Sequence, residues 1–338
     1  LREEYRHWPL TQDRARIEAE CLREEYRHCP AHTPKVHHFD ARNAIIVMEY
    51  LAPPFLILRR GMIQGNVYPH IDEHIAEFMA TSMFHTSLLY LDSATYRQNV
   101  AKYTNNEMCR LTEQVIFTEP FTSASNNNYN KLIEEDVKDL QADPQAKAAA
   151  AFLKSLFVTS AEALTHGDLH TGSIMVTPVH TKMIDPEFGY YGPVAFDLGK
   201  ILGNFLLSLF ASYGQEVDEP SIPRSEQRAW IISSFRGTYA KFVAKFRALW
   251  DTKGLKGDLA PDSFVGPNAP GSAAGLPAIQ DHYFRRLFPS AMGFAGCCMV
   301  RRIVGIAGVA DLRGIKDEQV RAGCERRALR FGRMLLGQ

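Results

Sequence analysis

The chain has 338 residues, 46% of them hydrophobic, which is enough for one large globular domain or two moderate ones with a sizeable core. Its 38 basic and 38 acidic residues balance, so no overall field favours nucleic acid, a membrane surface or a polyanionic partner. The six cysteines show no CxxC spacing, which predicts a reducing, cytoplasmic environment.

The first fifty residues predict a helix followed by two strands. The string LREEYRH occurs at residues 1–7 and again at 22–28, and we interpret two such short copies as a local duplication, not a solenoid. Residues 15–26 are rich in helix formers. Residues 35–39 and 44–50 are short and include β-branched side chains, which favours strands.

From Ile71 onward the hydrophobic pattern is mostly helical. The stretch 251–277 is rich in Gly, Pro and Ser and predicts a flexible loop. The longest apolar runs, 201–213 and 291–310, are too short or carry two arginines, so neither predicts a membrane span. Helices are predicted over residues 71–91, 146–164, 194–213, 227–250, 281–310 and 318–336.

Two acidic motifs carry the chemistry. HGDLHTGS occupies residues 166–173, and IDPE places Asp185 seventeen residues after Asp168. Short strands predicted at 174–177 and 182–185 form a hairpin that brings these two carboxylates together. Phosphoryl transfer needs positioning and charge neutralisation, so Asp168 would orient a hydroxyl nucleophile and Asp185 with Glu187 would hold magnesium. On an extended backbone, the carboxylates of Asp185 and Glu187 would point to one side.

Other interpretations of these residues remain open. HGDLH has possible zinc ligands, but a zinc site needs more ligands at recognisable spacing, and Gly167 suits a tight turn. Ser173 stands where kinase-like enzymes carry an Asn that binds a second metal, which weakens a two-metal arrangement. Arg301 and Arg302 lie in an apolar helix, so at least one guanidinium needs a buried partner. For each arginine, a structural salt bridge and a ligand contact are equally favoured.

Five strings spread over nearly the whole chain carry a family resemblance: HGDLHTGSIMV, IDPEFGYYGPVAFDLG, MEYLAPPFLILRRGMI, RLTEQVIFTEPF and MVRRIVGIAGVADL. Through them the chain resembles the 5-methylthioribose kinases, protein-kinase-like enzymes of methionine salvage, in a form similar to the plant or algal branch. The resemblance implies an α+β, two-lobe kinase-like fold, with residues 1–52 as an incomplete N-lobe and 53–338 as a large, mainly helical C-lobe. It also implies a homodimer.

The resemblance implies that ATP and Mg²⁺ are bound and that Asp168 positions the anomeric hydroxyl of methylthioribose for attack on the γ-phosphate. Arg301 and Arg302 would reach the sugar or the transferring phosphoryl group. Asp185 and Glu187 would bind the metal, and Glu18 resembles the kinase Glu that pairs with a phosphate-binding Lys. Ser173 is the family's own variant. The residues implied in nucleotide binding are Glu49, Tyr50 and Leu51 at the hinge, and Asp185, Pro186 and Glu187.

The sequence departs from the family at its start. The Gly-rich phosphate loop and the Lys strand should precede the helix at Asp13, but no glycine precedes Gly61 and the first residue is Leu. We therefore interpret the chain as a fragment that shows little or no kinase turnover unless it is extended with these parts. A choline- or aminoglycoside-type kinase, or a non-catalytic sugar-binding or pseudokinase fragment, are the alternatives. Ser173 argues against the first.

Overall fold

The structure, a computed structural model, describes residues 11–266, 269–270 and 272–337. Its N-terminal segment forms one helix, α1 (Asp13–His28), and an antiparallel pair of strands, β1 (Val36–Asp40) and β2 (Ile45–Met48). This confirms the predicted helix–strand–strand order. The first LREEYRH copy lies outside the described residues, whereas the second forms the end of α1.

Five further strands form two small antiparallel sheets that carry the acidic motifs. In the first sheet, β3 (Leu56–Ile57) pairs with β5 (Ile174–Val176), and β5 pairs with β6 (Thr181–Met183). In the second, β4 (Ala163–Thr165) pairs with β7 (Tyr190–Gly192). The predicted hairpin between the two motifs is confirmed as β5 and β6, although β6 ends at Met183, before the acidic motif.

The rest of the described chain is mostly helical. The helices are α2 (Leu58–Ile63), α3 (Ile71–Thr86), α4 (Ser93–Lys102), α5 (Asn106–Phe117), α6 (Glu134–Ala142), α7 (Pro144–Thr159), α8 (Val194–Asp218), α9 (Ser225–Lys253), α10 (Asp262–Val265), α11 (Ser272–Val304), α12 (Ala310–Arg313) and α13 (Glu318–Leu336). The predicted bounds of α13 are confirmed at both ends.

Helices α8 and α11 form the centre of the core. They approach closely at Gly199 of α8, where a Cβ atom would lie 2.5 Å from the carbonyl oxygen of Ala291. Both are long and apolar enough to cross a membrane by length and composition alone. However, 89% of the apolar window in Val194–Asp218 and 83% of that in Gly275–Val304 is buried inside the fold, as in the core helices of globular proteins.

Several predicted boundaries are wrong; the helix predicted over 281–310, for example, is α11 over Ser272–Val304. The helix predicted over 146–164 ends at Thr159, because Ala163–Thr165 is buried as strand β4, and a short apolar run does not distinguish a strand from a helix. Helix α3 ends at Thr86, where Ser87 adopts an extended backbone. The loop predicted over 251–277 contains α10 and the first turns of α11.

Candidate active site

The turn His166-Gly167-Asp168 follows β4 and is fixed by the first turn of α8. Gly167 has a positive φ of 78°, as the predicted tight turn requires. The fully buried Asp197 carboxylate accepts the backbone N–H of His166 at 2.7 Å and that of Gly167 at 3.1 Å. Burial raises the pKa of Asp197 to about 6, although Lys200 and the two backbone donors oppose the rise. The backbone of the motif is therefore clamped from α8.

Asp168 itself lies among three basic side chains. Its Oδ1 contacts the Lys200 ammonium group, its Oδ2 lies 3.3 Å from His170 Nε2, and Arg302 Nη2 lies 4.0 Å from Oδ1. Burial acts to raise the pKa of Asp168, but Lys200, His170 and Arg302 outweigh it and hold this pKa well below its usual range. The Asp168 side chain is 19% exposed, so an ionised carboxylate still faces the open side of the site.

The ring nitrogens of both histidines in HGDLH are engaged in hydrogen bonds. His166 Nε2 donates to the carbonyl of Ile184 at 3.0 Å, and the N–H of Gly172 donates to His170 Nδ1 at 2.9 Å. His170 must therefore carry its proton on Nε2, which faces Asp168. Burial lowers the pKa of His170 to about 3, so this ring is neutral at pH 7. These bonds leave the motif unsuited to zinc and explain both histidines structurally.

Ser173 closes the same loop and does not face a metal. Its hydroxyl donates to the carbonyl of Asp168 at 2.8 Å and accepts the N–H of His170 at 2.9 Å. The side chain is buried at 3% exposure. Its hydroxyl therefore shapes the turn from within the loop, where a side chain at the second-metal position of a kinase would point outward.

The second acidic motif follows β6 and is tied to the first. The N–H of Ile184 donates to the carbonyl of Ser173 at 3.0 Å, which sets the two motifs side by side. Asp185 has a positive φ of 68°, so the expected extended backbone at Asp185 and Glu187 is wrong. Burial, then the charges of Glu187 and Glu18, raises the pKa of Asp185 to about 7. The carboxylates of Asp185 and Glu187 therefore still repel each other.

Glu18 of α1 belongs to the same acidic group. Burial, then the charge of Glu187, raises the pKa of Glu18 to about 7. Arg14 lies 3.3 Å from Glu187, and Asn105 Nδ2 donates to the Glu187 carbonyl at 3.0 Å. The group thus has three carboxylates whose charges act on one another, and one nearby cation. Such an excess of buried negative charge is suited to a divalent cation.

The residues present fit Mg²⁺ held jointly with a phosphate. Among the residues that the structure describes, no three His, Cys, Asp or Glu side chains are arranged to hold a metal by themselves. Magnesium commonly uses one or two carboxylates and completes its shell with substrate phosphate oxygens and waters. Asp185 and Glu187 would be those carboxylates.

The predicted hinge follows β2. The N–H of Glu49 donates to the carbonyl of Lys35 at 2.8 Å, so this donor is used within the segment. Within the described part of the chain, the N–H of Leu51 makes no hydrogen bond. Tyr50 is 83% exposed. Leu51 is therefore a backbone donor that remains free for a ligand, whereas the N–H of Glu49 is not.

Arg302 reaches the site, and Arg301 is buried beside it. Arg302 lies near Asp168 and donates to the carbonyl of Ala307 at 3.1 Å. Burial, then the charge of Arg301, lowers the pKa of Arg302 to about 9. Arg301 is 8% exposed. The structure thus brings Arg302 to the Asp168 carboxylate, and among the residues that the structure describes no contact does the same for Arg301.

Three residues near the site were missed by sequence reasoning: Asp197, Lys200 and Arg59. Arg59 of α2 donates to Asn204 Oδ1 at 2.8 Å and lies near His170 and Arg302, whose pKa values its charge lowers. A usable signal was present for the first two. Asp197 and Lys200 are charges in the apolar run 194–208, the same pattern that singled out Arg301 and Arg302.

This fold and site define a phosphotransferase, and residues 6–222 match the family model described as the phosphotransferase enzyme family. Methylthioribose kinase 1 of Oryza sativa subsp. japonica is 42% identical over 331 residues, which are 97% of this chain and 76% of that protein. Methylthioribose kinase of Yersinia pseudotuberculosis serotype O:1b is 39% identical over 329 residues, again 97% and 76%. The chain therefore belongs to the methylthioribose kinase family of phosphotransferases.

A solved glucosamine kinase is also similar in structure, with a TM-score of 0.42 and 14% sequence identity. The match covers 84% of this chain and 68% of that chain.

Proposed function

We propose that the protein transfers the γ-phosphate of ATP to the anomeric hydroxyl of 5-methylthioribose, giving 5-methylthioribose 1-phosphate for methionine salvage. Relatives that bear the name methylthioribose kinase along 97% of the chain support this substrate. The observation that carries the reaction type is Asp168. It is an ionised carboxylate, open to the site on one side and next to a buried acidic group suited to a metal.

In this proposal Asp168 accepts a hydrogen bond from the anomeric hydroxyl and aims that oxygen at the γ-phosphorus. The new bond joins the sugar oxygen to phosphorus while the bond to the bridging oxygen of ADP breaks, and the hydroxyl proton passes to Asp168. Arg302 lies 4.0 Å from Asp168, where a guanidinium can stabilise charge on the phosphoryl oxygens. Arg301, the neighbouring residue in α11, would help to hold the Arg302 guanidinium in this position.

Asp185 and Glu187 would hold Mg²⁺, which neutralises charge on the nucleotide phosphates when bound. The segment Glu49, Tyr50 and Leu51 would contact adenine through its backbone, with the Leu51 N–H as donor. Pro186 fixes the backbone between the two acidic ligands. We further propose the kinase-like two-lobe division near residue 52, a homodimer and a cytoplasmic location, as the family resemblance implies.

The test is a phosphoryl-transfer assay on the 338-residue chain, with enzyme in excess over ATP so that even one turnover is measured. Phosphorus NMR distinguishes a 1-phosphate from esters at other sugar hydroxyls. We expect product from 5-methylthioribose but not from choline or an aminoglycoside, and much slower, still measurable, product formation from the variant Asp168→Asn. Product from choline or an aminoglycoside, with none from the sugar, would sink the proposed substrate.

Calorimetry separates this function from a non-catalytic one. Nucleotide with Mg²⁺ and 5-methylthioribose are titrated separately into the same protein. We expect heat of binding from both. Sugar binding without nucleotide binding, together with no turnover, would instead favour a sugar-binding protein.

A further inference from the structure

Lys200 is a buried cation in α8, a largely apolar helix of the core. Its side chain is 2% exposed. A lysine is almost never buried unless it is paired, because removing its charge from water is costly. The ammonium group contacts Asp168 Oδ1, donates to the carbonyl of Gly167 at 3.1 Å and lies 5.0 Å from the centre of the Phe196 ring. The Asp168 carboxylate is therefore the partner that justifies its burial.

Lys200 and Asp197 act from one face of α8, since residues three positions apart lie on the same side of a helix. Asp197 accepts the backbone N–H groups of His166 and Gly167, whereas Lys200 contacts the Asp168 side chain. One rigid helix thus fixes both the backbone of the motif and its carboxylate. Of the three basic groups around Asp168, Lys200 makes the shortest contact.

His170 holds the other carboxylate oxygen. The N–H of Gly172 occupies Nδ1, so the proton is on Nε2, which lies 3.3 Å from Asp168 Oδ2. Each carboxylate oxygen has two acceptor positions, so one contact at each oxygen fixes the plane of the group without filling it. The side chain as a whole remains 19% exposed, although Oδ1 itself is buried.

We propose that Lys200 is a positioning residue for phosphoryl transfer, which fixes the Asp168 carboxylate in its ionised form while His170 orients the second oxygen. This inference rests on the proposed function. When Asp168 takes the proton of the acceptor hydroxyl, the adjacent ammonium disfavours the neutral acid, so the proton passes on to water and the carboxylate is restored. Lys200 touches neither sugar nor nucleotide in this role.

A double-mutant cycle tests whether Lys200 acts through Asp168. The variants are Lys200→Met, Asp168→Asn and the double substitution, and Lys241→Met is the matched control. Lys241 is a 41% exposed lysine that is paired with Asp72 at 2.9 Å and lies outside the site. For each protein, the single-turnover rate with 5-methylthioribose and the sugar dissociation constant by calorimetry are measured.

We expect Lys200→Met to lower the turnover rate by about 100-fold, as a misplaced catalytic group does, while the sugar dissociation constant changes by less than about tenfold. In the Asp168→Asn background the same substitution should lower the rate by less than about threefold, because its target is already lost. Lys241→Met should have the turnover rate and the sugar dissociation constant of the wild type. If Lys200→Met does not fold, as judged by circular dichroism, Lys200→Arg replaces it in the same cycle.

The two proposals fail in different ways. Lys200→Met could lower the turnover rate by the same factor in the wild type and in Asp168→Asn while the wild type is active. That result would overturn the positioning role and leave the proposed function standing. A rate that falls only in proportion to weakened sugar binding would do the same. A wild type that neither transfers phosphate in a single turnover nor binds 5-methylthioribose would overturn the proposed function, and the role of Lys200 would fall with it.

Discussion

The turn at Gly167 cannot hold a side chain, and this gives a prediction with a definite sign and size. Gly167 has φ of 78°, and a Cβ atom there would lie 2.1 Å from the backbone oxygen of Phe188. A left-handed backbone costs a residue with a side chain about 1–2 kcal/mol. Overpacking against a group that cannot rotate away costs about 1–3 kcal/mol more. Gly167→Ala should therefore lower the free energy of unfolding by about 2–5 kcal/mol.

The assay is urea unfolding of Gly167→Ala beside Gly323→Ala. Gly323 lies within α13, and nothing lies within 4 Å of the position its Cβ would take. Alanine there should raise the free energy of unfolding by about 0.5–1 kcal/mol, because glycine weakens a helix interior. The same substitution should therefore lower the free energy of unfolding at position 167 and raise it at position 323. Gly167→Ala should also slow phosphoryl transfer by about 100-fold, since the displaced neighbour is Asp168.

Two results would refute this reasoning. The first is a free energy of unfolding for Gly167→Ala within about 0.5 kcal/mol of the wild-type value, which is typical of surface substitutions. It would mean that the Phe188 segment moves aside without cost. If Gly167→Ala is destabilised but transfers phosphate at the normal rate, the backbone of the turn does not control the position of Asp168.

Three further predictions use the same assays. Arg302→Lys should slow phosphoryl transfer by about tenfold or more, because an ammonium group cannot keep the contacts of the planar guanidinium. The control is Arg333→Lys, in an exposed pair with Asp143, which should leave the transfer rate unchanged. Chelating Mg²⁺ should stop the reaction, and Asp185→Asn should raise the half-maximal Mg²⁺ concentration by about tenfold. Burial, then neighbouring histidines, lowers the pKa of His74 to about 4, so stability should fall as pH drops from about 6.5 to 4. His74→Gln should flatten that urea-unfolding profile, and exposed His282→Gln should not.

Local patterns predicted the parts of this site that depend on local geometry. HGDLHTGS and IDPE were placed on a hairpin because β-branched runs and a turn determine strands over a few residues, and β5 and β6 confirm it. The second strand is predicted to run to Asp185 but ends at Met183, and the backbone at Asp185 also differs from the prediction. An extended backbone was expected, but the residue has φ of 68°, a conformation that no spacing rule predicts. The N–H of Ile184 in the second motif donates to the carbonyl of Ser173 in the first, a contact that links the two motifs across the hairpin.

Tertiary partners could not be assigned in the same way. Asp197 binds the N–H of His166 across 31 positions, and Lys200 meets Asp168 across 32, so no window of sequence contains both partners. The sequence did reveal that charges interrupt an apolar run, which is costly unless a partner is present. It did not reveal which partner. Only the packing of α8 against the loop after β4 supplies it.

The polar positions of α8 explain why the most buried helix of the core also organises the site. Asp197 accepts hydrogen bonds from the motif backbone, and Lys200 contacts Asp168. Further along the helix, Asn204 accepts a hydrogen bond from Arg59. Ser208 donates a hydrogen bond to Asp311, which itself lies 3.0 Å from Arg59. Their spacing of three or four residues makes one continuous polar stripe. Because each buried polar group costs free energy unless it is paired, these four pairings on one face of α8 let the helix hold the site rigid as well as fill the core.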